Sequence, residues 1–295
     1  MNFLKKISKV YMASKEIMFD DESKFIIMSD CHRGDGNWSD SFAQNQNIYF
    51  TALEHYYNEN YTYIELGDGD ELWEYRNFQD IVHEHSNAFW LMKKFYRKDR
   101  FYMIYGNHDM IKKDARFVKK NMFKQFSQRY DKFFELFQNL EVHEGLILNH
   151  STTGNKILLI HGHQVDFLNS TIWKVARFLV RFLWRPLENF CIKDVTRTAK
   201  NYKKKSNVAA KLTEWVKRER KMLIAGHTHR PMFPKPGEPP YFNDGSCVHP
   251  RCITGIEISK GMISLIKWSV KSGENRGLRI EKDIIAGPKS INEYF

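Results

Sequence analysis

Lys221-Met222-Leu223-Ile224-Ala225-Gly226-His227-Thr228-His229-Arg230-Pro231 is the stretch on which the fold turns. Met222 to Ala225 is a short apolar run of the kind that forms a buried strand. It stops at Gly226, and two histidines follow, two residues apart. In extended backbone, residues i and i+2 point to the same side, so His227 and His229 are expected to aim their imidazoles at one place. Neutral imidazole is the commonest metal ligand among side chains. Two histidines near a turn are ordinary; the pair gains weight because the same design recurs.

Four more runs end the same way. Phe25 to Ser29 leads into Asp30-Cys31-His32, and Tyr61 to Leu66 into Gly67-Asp68. Phe101 to Tyr105 leads into Gly106-Asn107-His108-Asp109, and Ile157 to Ile160 into His161-Gly162-His163. Each is a β-branched or aromatic run stopped abruptly by Gly, Asp, Asn or His. Layered α/β folds bind ligands at the carboxyl ends of their strands. Five such ends can therefore assemble one site from distant pieces of chain.

The ordered set D-x-H, G-D, G-N-H-D, H-G-H and G-H-T-H, spanning residues 30 to 229, resembles the calcineurin-like metallophosphoesterase superfamily. The resemblance implies an α/β fold of two packed mixed β-sheets flanked by helices, an αββα sandwich with two metal ions at one end. It places Asp30, His32, Asp68 and His229 on one ion and Asp68, Asn107, His161 and His227 on the other, with Asp68 as the bridge. Two ions ~3.5–4 Å apart clamp phosphoryl oxygens and lower the pKa of a bridging water. The resemblance also carries His108 to the scissile phosphate, as a transition-state stabiliser or proton donor, with Asp109 orienting it. His163 is expected behind the ligands or against substrate. Arg33 and Arg230, beside ligands, are expected to hold phosphate oxygens. A donor set of carboxylate, amide oxygen and imidazole suits hard to borderline ions: Mn2+ first, then Fe, Zn or Ni.

Within the superfamily, the sequence is most similar to the UDP-2,3-diacylglucosamine diphosphatase-like group. Gly67-Asp68-Gly69-Asp70-Glu71-Leu72-Trp73-Glu74 resembles that group's acidic-aromatic second motif, and the fifth motif continues as Arg230-Pro231. A basic, apolar segment at 166–221 stands between the fourth and fifth motifs, where that group carries a lipid-binding cap. Two positions depart: His108 stands where the group has Arg, and His163 where it has Asp.

That segment also dominates the charge. It holds 15 Lys and Arg against 5 Asp and Glu, while the whole chain of 295 residues carries +11. So concentrated a charge implies an anionic partner nearby: phosphate, acidic lipid or nucleic acid. Lys174, Arg177, Arg181 and Arg185 recur at helical spacing on one stripe, with Trp173, Phe178, Phe182 and Trp184 among the apolar residues around it. A helix of this kind is expected either to cap the site, with Lys174, Arg177 and Arg181 as substrate contacts, or to pack in the domain with its arginines reaching water. The expected substrate is thus a lipid-linked or nucleotide-linked diphosphate. The alternatives are a nucleic-acid or cyclic-nucleotide phosphodiesterase, a broad phosphomonoesterase or protein phosphatase, and a metal-binding scaffold without activity.

At 42% hydrophobic residues, the chain can bury a large core, and residues 1–295 are expected to form a single domain. No apolar stretch approaches the ~20 residues that span a bilayer, and the N-terminus lacks a signal peptide's apolar block. A cytoplasmic protein is expected, able to contact an anionic membrane from that side; the sequence specifies no oligomeric state. Phe3, Leu4, Ile7, Val10 and Tyr11 share one helical face, expected to pack on the domain's own surface or to lie in a membrane interface. Further helices are expected over 42–58, 77–97 and 114–137. Closing strands are expected at 253–258 and 262–270, with a peripheral tail from Lys271. Cys247 and Cys252 read as ordinary thiols rather than zinc ligands, since a structural zinc site needs a second pair.

Overall fold

The computed structural model describes residues 3–75, 77–127, 130–166, 197–272 and 277–295. The stripe residues Lys174, Arg177, Arg181 and Arg185 lie outside them. The chain opens with helix α1 (Phe3–Ala13) and strands β1 (Lys15–Phe19) and β2 (Phe25–Met28). Helix α2 (Gln46–Asn58) leads to β3 (Thr62–Leu66), and α3 (Phe78–Glu84) with α4 (Ser86–Tyr96) leads to β4 (Phe101–Ile104). Helix α5 (Ala115–Asn121) and the hairpin β5 (Lys124–Ser127) and β6 (Lys132–Glu135) precede β7 (Val142–His143), β8 (Gly145–His150) and β9 (Lys156–Ile160). Helix α6 (Arg197–Glu219) runs into β10 (Met222–Ala225), followed by β11 (Tyr241–Asn243), β12 (Cys252–Ser259), β13 (Met262–Ser272) and β14 (Leu278–Ser290).

Two mixed sheets result. One has the order β1-β8-β9-β10-β11, the other β14-β13-β12-β2-β3-β4-β7. They pack face to face through Ile27, Ile64, Leu66 and Ile104 from the larger sheet and Leu146, Leu148, Leu159 and Ile224 from the smaller. The larger sheet's other face, with Ile26, Met28 and Tyr63, is covered by Tyr49, Leu53 and Tyr56 of α2 and Phe89 and Phe95 of α4. The smaller sheet's other face, with Leu158, Leu223 and Ala225, is covered by Leu4, Ile7 and Val10 of α1 and Leu212, Trp215 and Val216 of α6. The layers therefore run helix, sheet, sheet, helix. Strands buried on both faces read as continuous apolar runs, which is why β2, β9 and β10 were legible without alternation. The described end of the 166–221 segment, α6, belongs to this outer helical layer.

Several expectations are corrected. The helix over 77–97 is two helices broken at His85, whose Nε2 lies 2.8 Å from Asp40 Oδ2. Over 114–137 the helix stops at Asn121 and a hairpin follows, pairing Phe126 with Phe133. Aromatic residues fit a pleated strand better than a helix interior. The tail from Lys271 is peripheral but ordered as a strand: β14 is the exposed edge of the larger sheet and pairs with β13 from Ser272↔Leu278 to Met262↔Ser290. The N-terminal helix packs on the domain itself, with Ile7 fully buried. No helix among the described residues is long and apolar enough to cross a membrane.

Candidate active site

The larger sheet delivers Asp30 and His32 from the end of β2, Asp68 from β3, and Asn107 and His108 from β4. The smaller delivers His161 from β9 and His227 and His229 from β10. Five of these have left-handed backbone: Asp30 (φ 53°), His32 (φ 48°), Asp68 (φ 50°), His227 (φ 66°) and His229 (φ 54°). Residues with a Cβ adopt this conformation at a cost, and they persist there only where the surroundings hold them. The strain replaces the extended geometry expected for His227 and His229: their rings enter two adjacent clusters rather than one. Glycines make room for the approach. A Cβ on Gly106 would lie 2.1 Å from Asp68 Oδ1.

In the first cluster, Asp30 Oδ1 is 2.9 Å from His229 Nε2 and 3.6 Å from His32 Nε2. The two imidazole nitrogens are 3.4 Å apart. The second cluster joins Asp68, His161 and His227, with His161 Nε2 3.1 Å from Asp68 Oδ2. Asp68 Oδ2 is also 3.8 Å from His32 Nε2, so this carboxylate stands between the clusters. Asn107 is buried beside them, between Gly106 and His108, whose backbone N–H donates to Asp68 Oδ1 at 2.8 Å.

The donor atoms fit divalent ions. His161 Nδ1 lies 2.9 Å from the Leu66 carbonyl, and a proton there leaves the Nε2 lone pair facing Asp68. Two acceptors 3.1 Å apart need either a proton or a metal ion between them. Despite their close neighbours, Asp30 Oδ1 and His161 Nε2 make no aligned hydrogen bond, and Asn107 Oδ1 makes none. Buried polar atoms left this way point to an ion or to a functional role. No thiolate joins the set, which suits hard to borderline metals.

Without an ion, charged imidazoles balance the carboxylates. Burial alone would depress His161, but Asp68 and Asp30 push it up to about 9. Burial alone would raise Asp30 and Asp68, yet the facing imidazoles, led by His229 and His161 respectively, hold both below the usual carboxylate range. Ser29 Oγ lies 2.5 Å from Asp30 Oδ2 and 2.8 Å from Asp244 Oδ1. Burial and the nearby Asp30 raise Asp244 well above its ordinary value, which favours a protonated carboxyl behind Ser29.

His108 sits at the rim with its Nδ1 2.8 Å from Glu71 Oε1. The other oxygen of Glu71 is 2.9 Å from His32 Nδ1. Although burial opposes ionisation, His108 and His32 draw Glu71 down to about 2, so it is a carboxylate accepting from two rings. Glu71 thus orients His108, the role expected of Asp109. Asp109 instead accepts from the Gly106 and Gly69 N–H groups at 2.7 and 3.2 Å and pairs with Lys112 at 2.7 Å. It ties two ligand loops together from beneath.

Arg33 is also corrected. It is wholly buried, with Nη1 and Nη2 2.8 and 3.0 Å from Glu65 and Nε 2.7 Å from Asp70. Asp70 in turn meets Lys112 at 2.6 Å. No surface remains for substrate. His163 is buried beside His161 and Tyr105, and burial, with the neighbouring His161 and His227, depresses its pKa strongly. It lies behind the ligands as a neutral imidazole. Arg230 is half-buried next to His229. Glu71 and Asp244 were missed because nothing local distinguishes them from other acids; only convergence in space does.

The family model for calcineurin-like phosphoesterases matches residues 23–231. No curated protein matches the chain. Among solved structures, Vps29 from Chaetomium thermophilum is similar at 11% identity, covering 90% of this chain and 97% of its own, with a TM-score of 0.39. A single-substitution variant of Vps29 from Entamoeba histolytica is 14% identical over 89% and 99%, with a TM-score of 0.37. Wild-type Entamoeba histolytica Vps29 complexed with zinc is 12% identical over 88% and 98%, with a TM-score of 0.36. With the family's motifs on five strand ends and their side chains gathered into two ligand clusters, this chain belongs to the calcineurin-like phosphoesterase family and is a metal-dependent phosphoesterase.

Proposed function

We propose that the enzyme cleaves a lipid-linked or nucleotide-linked diphosphate, and that Mn2+ is its working metal. The chemistry rests on one observation: Asp68 stands between two ligand clusters while Glu71 holds His108 at their edge. Asp30, His32, Asp68 and His229 would hold one ion and Asp68, Asn107, His161 and His227 the other. Divalent ions bound there supply Lewis acidity toward the phosphoryl oxygens and lower the pKa of water. The chain's own part is to fix those ligands on strained loops and to hold His108. With Nδ1 engaged by Glu71, its Nε2 is left to stabilise the transition state or protonate the leaving oxygen.

The substrate class is supported by sequence. The excess charge of 166–221 follows the fourth motif directly, and its apolar and basic residues resemble the cap position of the UDP-2,3-diacylglucosamine diphosphatase-like group. In this reading the segment holds acyl chains or a nucleotide-linked diphosphate and lets the enzyme rest on an anionic cytoplasmic membrane face. Each basic residue near such a surface contributes about 1 kcal/mol, fading within a Debye length as salt rises.

The test is a Mn2+-supplemented screen of phosphomonoesters, diesters and nucleotide- and lipid-linked diphosphates, with Phe178→Glu/Phe182→Glu beside wild type. The expected result is preferred cleavage of a diphosphate, with the double variant losing lipid-linked turnover but keeping a small soluble ester. Preference for naked nucleic acid would retire the diphosphate reading, and loss of both activities by unfolding would retire the lipid-contact role of the segment.

A further inference from the structure

A hydrogen bond at one imidazole nitrogen does not fix the ring. His108 can still rock about the line joining Nδ1 to Glu71, and that rotation carries Nε2 through an arc. Something else must stop it. The indole of Trp73 stacks on His108 with ring centroids 4.4 Å apart and planes 25° from parallel. His32 meets the same ring edge-on, with centroids 4.6 Å apart and planes at 82°. Trp73 is itself held: it is 5% exposed and clusters with Tyr105 and Met110, which flank Gly106-Asn107-His108-Asp109 on either side. Glu71 and Trp73 lie two residues apart on one turn, one taking the ring's nitrogen and the other its face.

We infer that Trp73 is a positioning residue, the stacked plane that sets where His108 Nε2 points. This rests on the reading of His108 as the group that acts on the phosphate. It assigns the aromatic residue of the second motif a role beyond its packing with Tyr105 and Met110. A misplacement of about 1 Å in a reacting group costs roughly 10²-fold in rate. That is the expected loss of kcat for Trp73→Leu, with metal content and KM retained.

The deciding experiment is a double-mutant cycle between Trp73→Leu and His108→Ala in full-length, Mn2+-loaded enzyme, read on p-nitrophenyl phosphate and phenyl phosphate. Trp73→Leu should lower kcat in wild type and change nothing once His108 is gone. Trp73→Phe, which keeps an aromatic plane, should recover part of the loss. If Trp73→Leu does not fold, Trp73→Phe goes through the same cycle with the same criterion. An equal loss in both backgrounds, or a rise in KM at constant kcat, overturns the role of Trp73 and leaves His108 standing. Wild-type kcat in His108→Ala overturns the reading of His108 and the inference with it.

Discussion

Two sets of buried charge lie one above the other in this protein, and they are finished differently. The lower set, Glu65–Arg33–Asp70–Lys112–Asp109, carries its own cations: both face carboxylates at 2.6–3.0 Å. Arg33 and Asp70 also bridge their backbones, which locks the first motif to the second. The upper set, Asp30, Asn107 and His161 with their neighbours, is as deeply buried, yet key donor atoms are left without aligned partners. Residue type does not separate the two, since each set is rich in Asp; counter-charge does, because the lower carboxylates meet Arg33 and Lys112 while the upper ones meet imidazoles. A network with its own Arg and Lys builds the floor, and buried carboxylates that meet imidazoles instead mark where divalent ions belong.

The comparison can be broken in order of effect. His108→Ala, at the upper layer's rim, should lower kcat by ~10²–10⁴-fold with both metals retained. Glu71→Gln should move in the same direction by less, because the amide still offers one acceptor. The loss should shrink for nitrophenyl esters if His108 protonates the leaving oxygen; steady-state kinetics on graded leaving groups reads this.

Arg33→Met should do the reverse. Removing one partner of a buried pair leaves charge uncompensated and costs about 3–5 kcal/mol. Urea unfolding should show that loss, while kcat per folded molecule changes little. A stable Arg33→Met with impaired turnover would return Arg33 to the substrate. Asp109→Asn should cost less, about 1–3 kcal/mol, since one buried hydrogen-bonding group is lost or reversed. Its kcat should stay above that of Glu71→Gln; the opposite order would restore Asp109 as the residue that orients His108.

These reversals show where sequence stops being informative. The five strand ends were legible because an apolar run broken by Gly, Asp or His is a local pattern. β1 and β8 also end in such residues, at Asp20 and at Asn149-His150, but β8 runs antiparallel to β9, so these ends lie away from the site. Arg33 stands beside a ligand in sequence, but the left-handed turn at His32 (φ 48°) precedes a side chain buried in the floor. Adjacency along the chain therefore did not mean adjacency to substrate. Glu71 was visible as one acid among several in Gly67 to Glu74, and its function depends on two histidines from different strands meeting over it. The hairpin β5–β6 was lost because 114–137 was read as one element, although its aromatic residues after Asn121 favour strands.

The central claim is that the upper layer is completed by two metal ions sharing Asp68. Elemental analysis of chelator-free protein, wild type against Asp68→Ala, tests it most directly. Wild type should carry close to two divalent ions per chain, and Asp68→Ala should lose both along with turnover. An Asp68→Ala protein that keeps two ions and full activity would contradict the account.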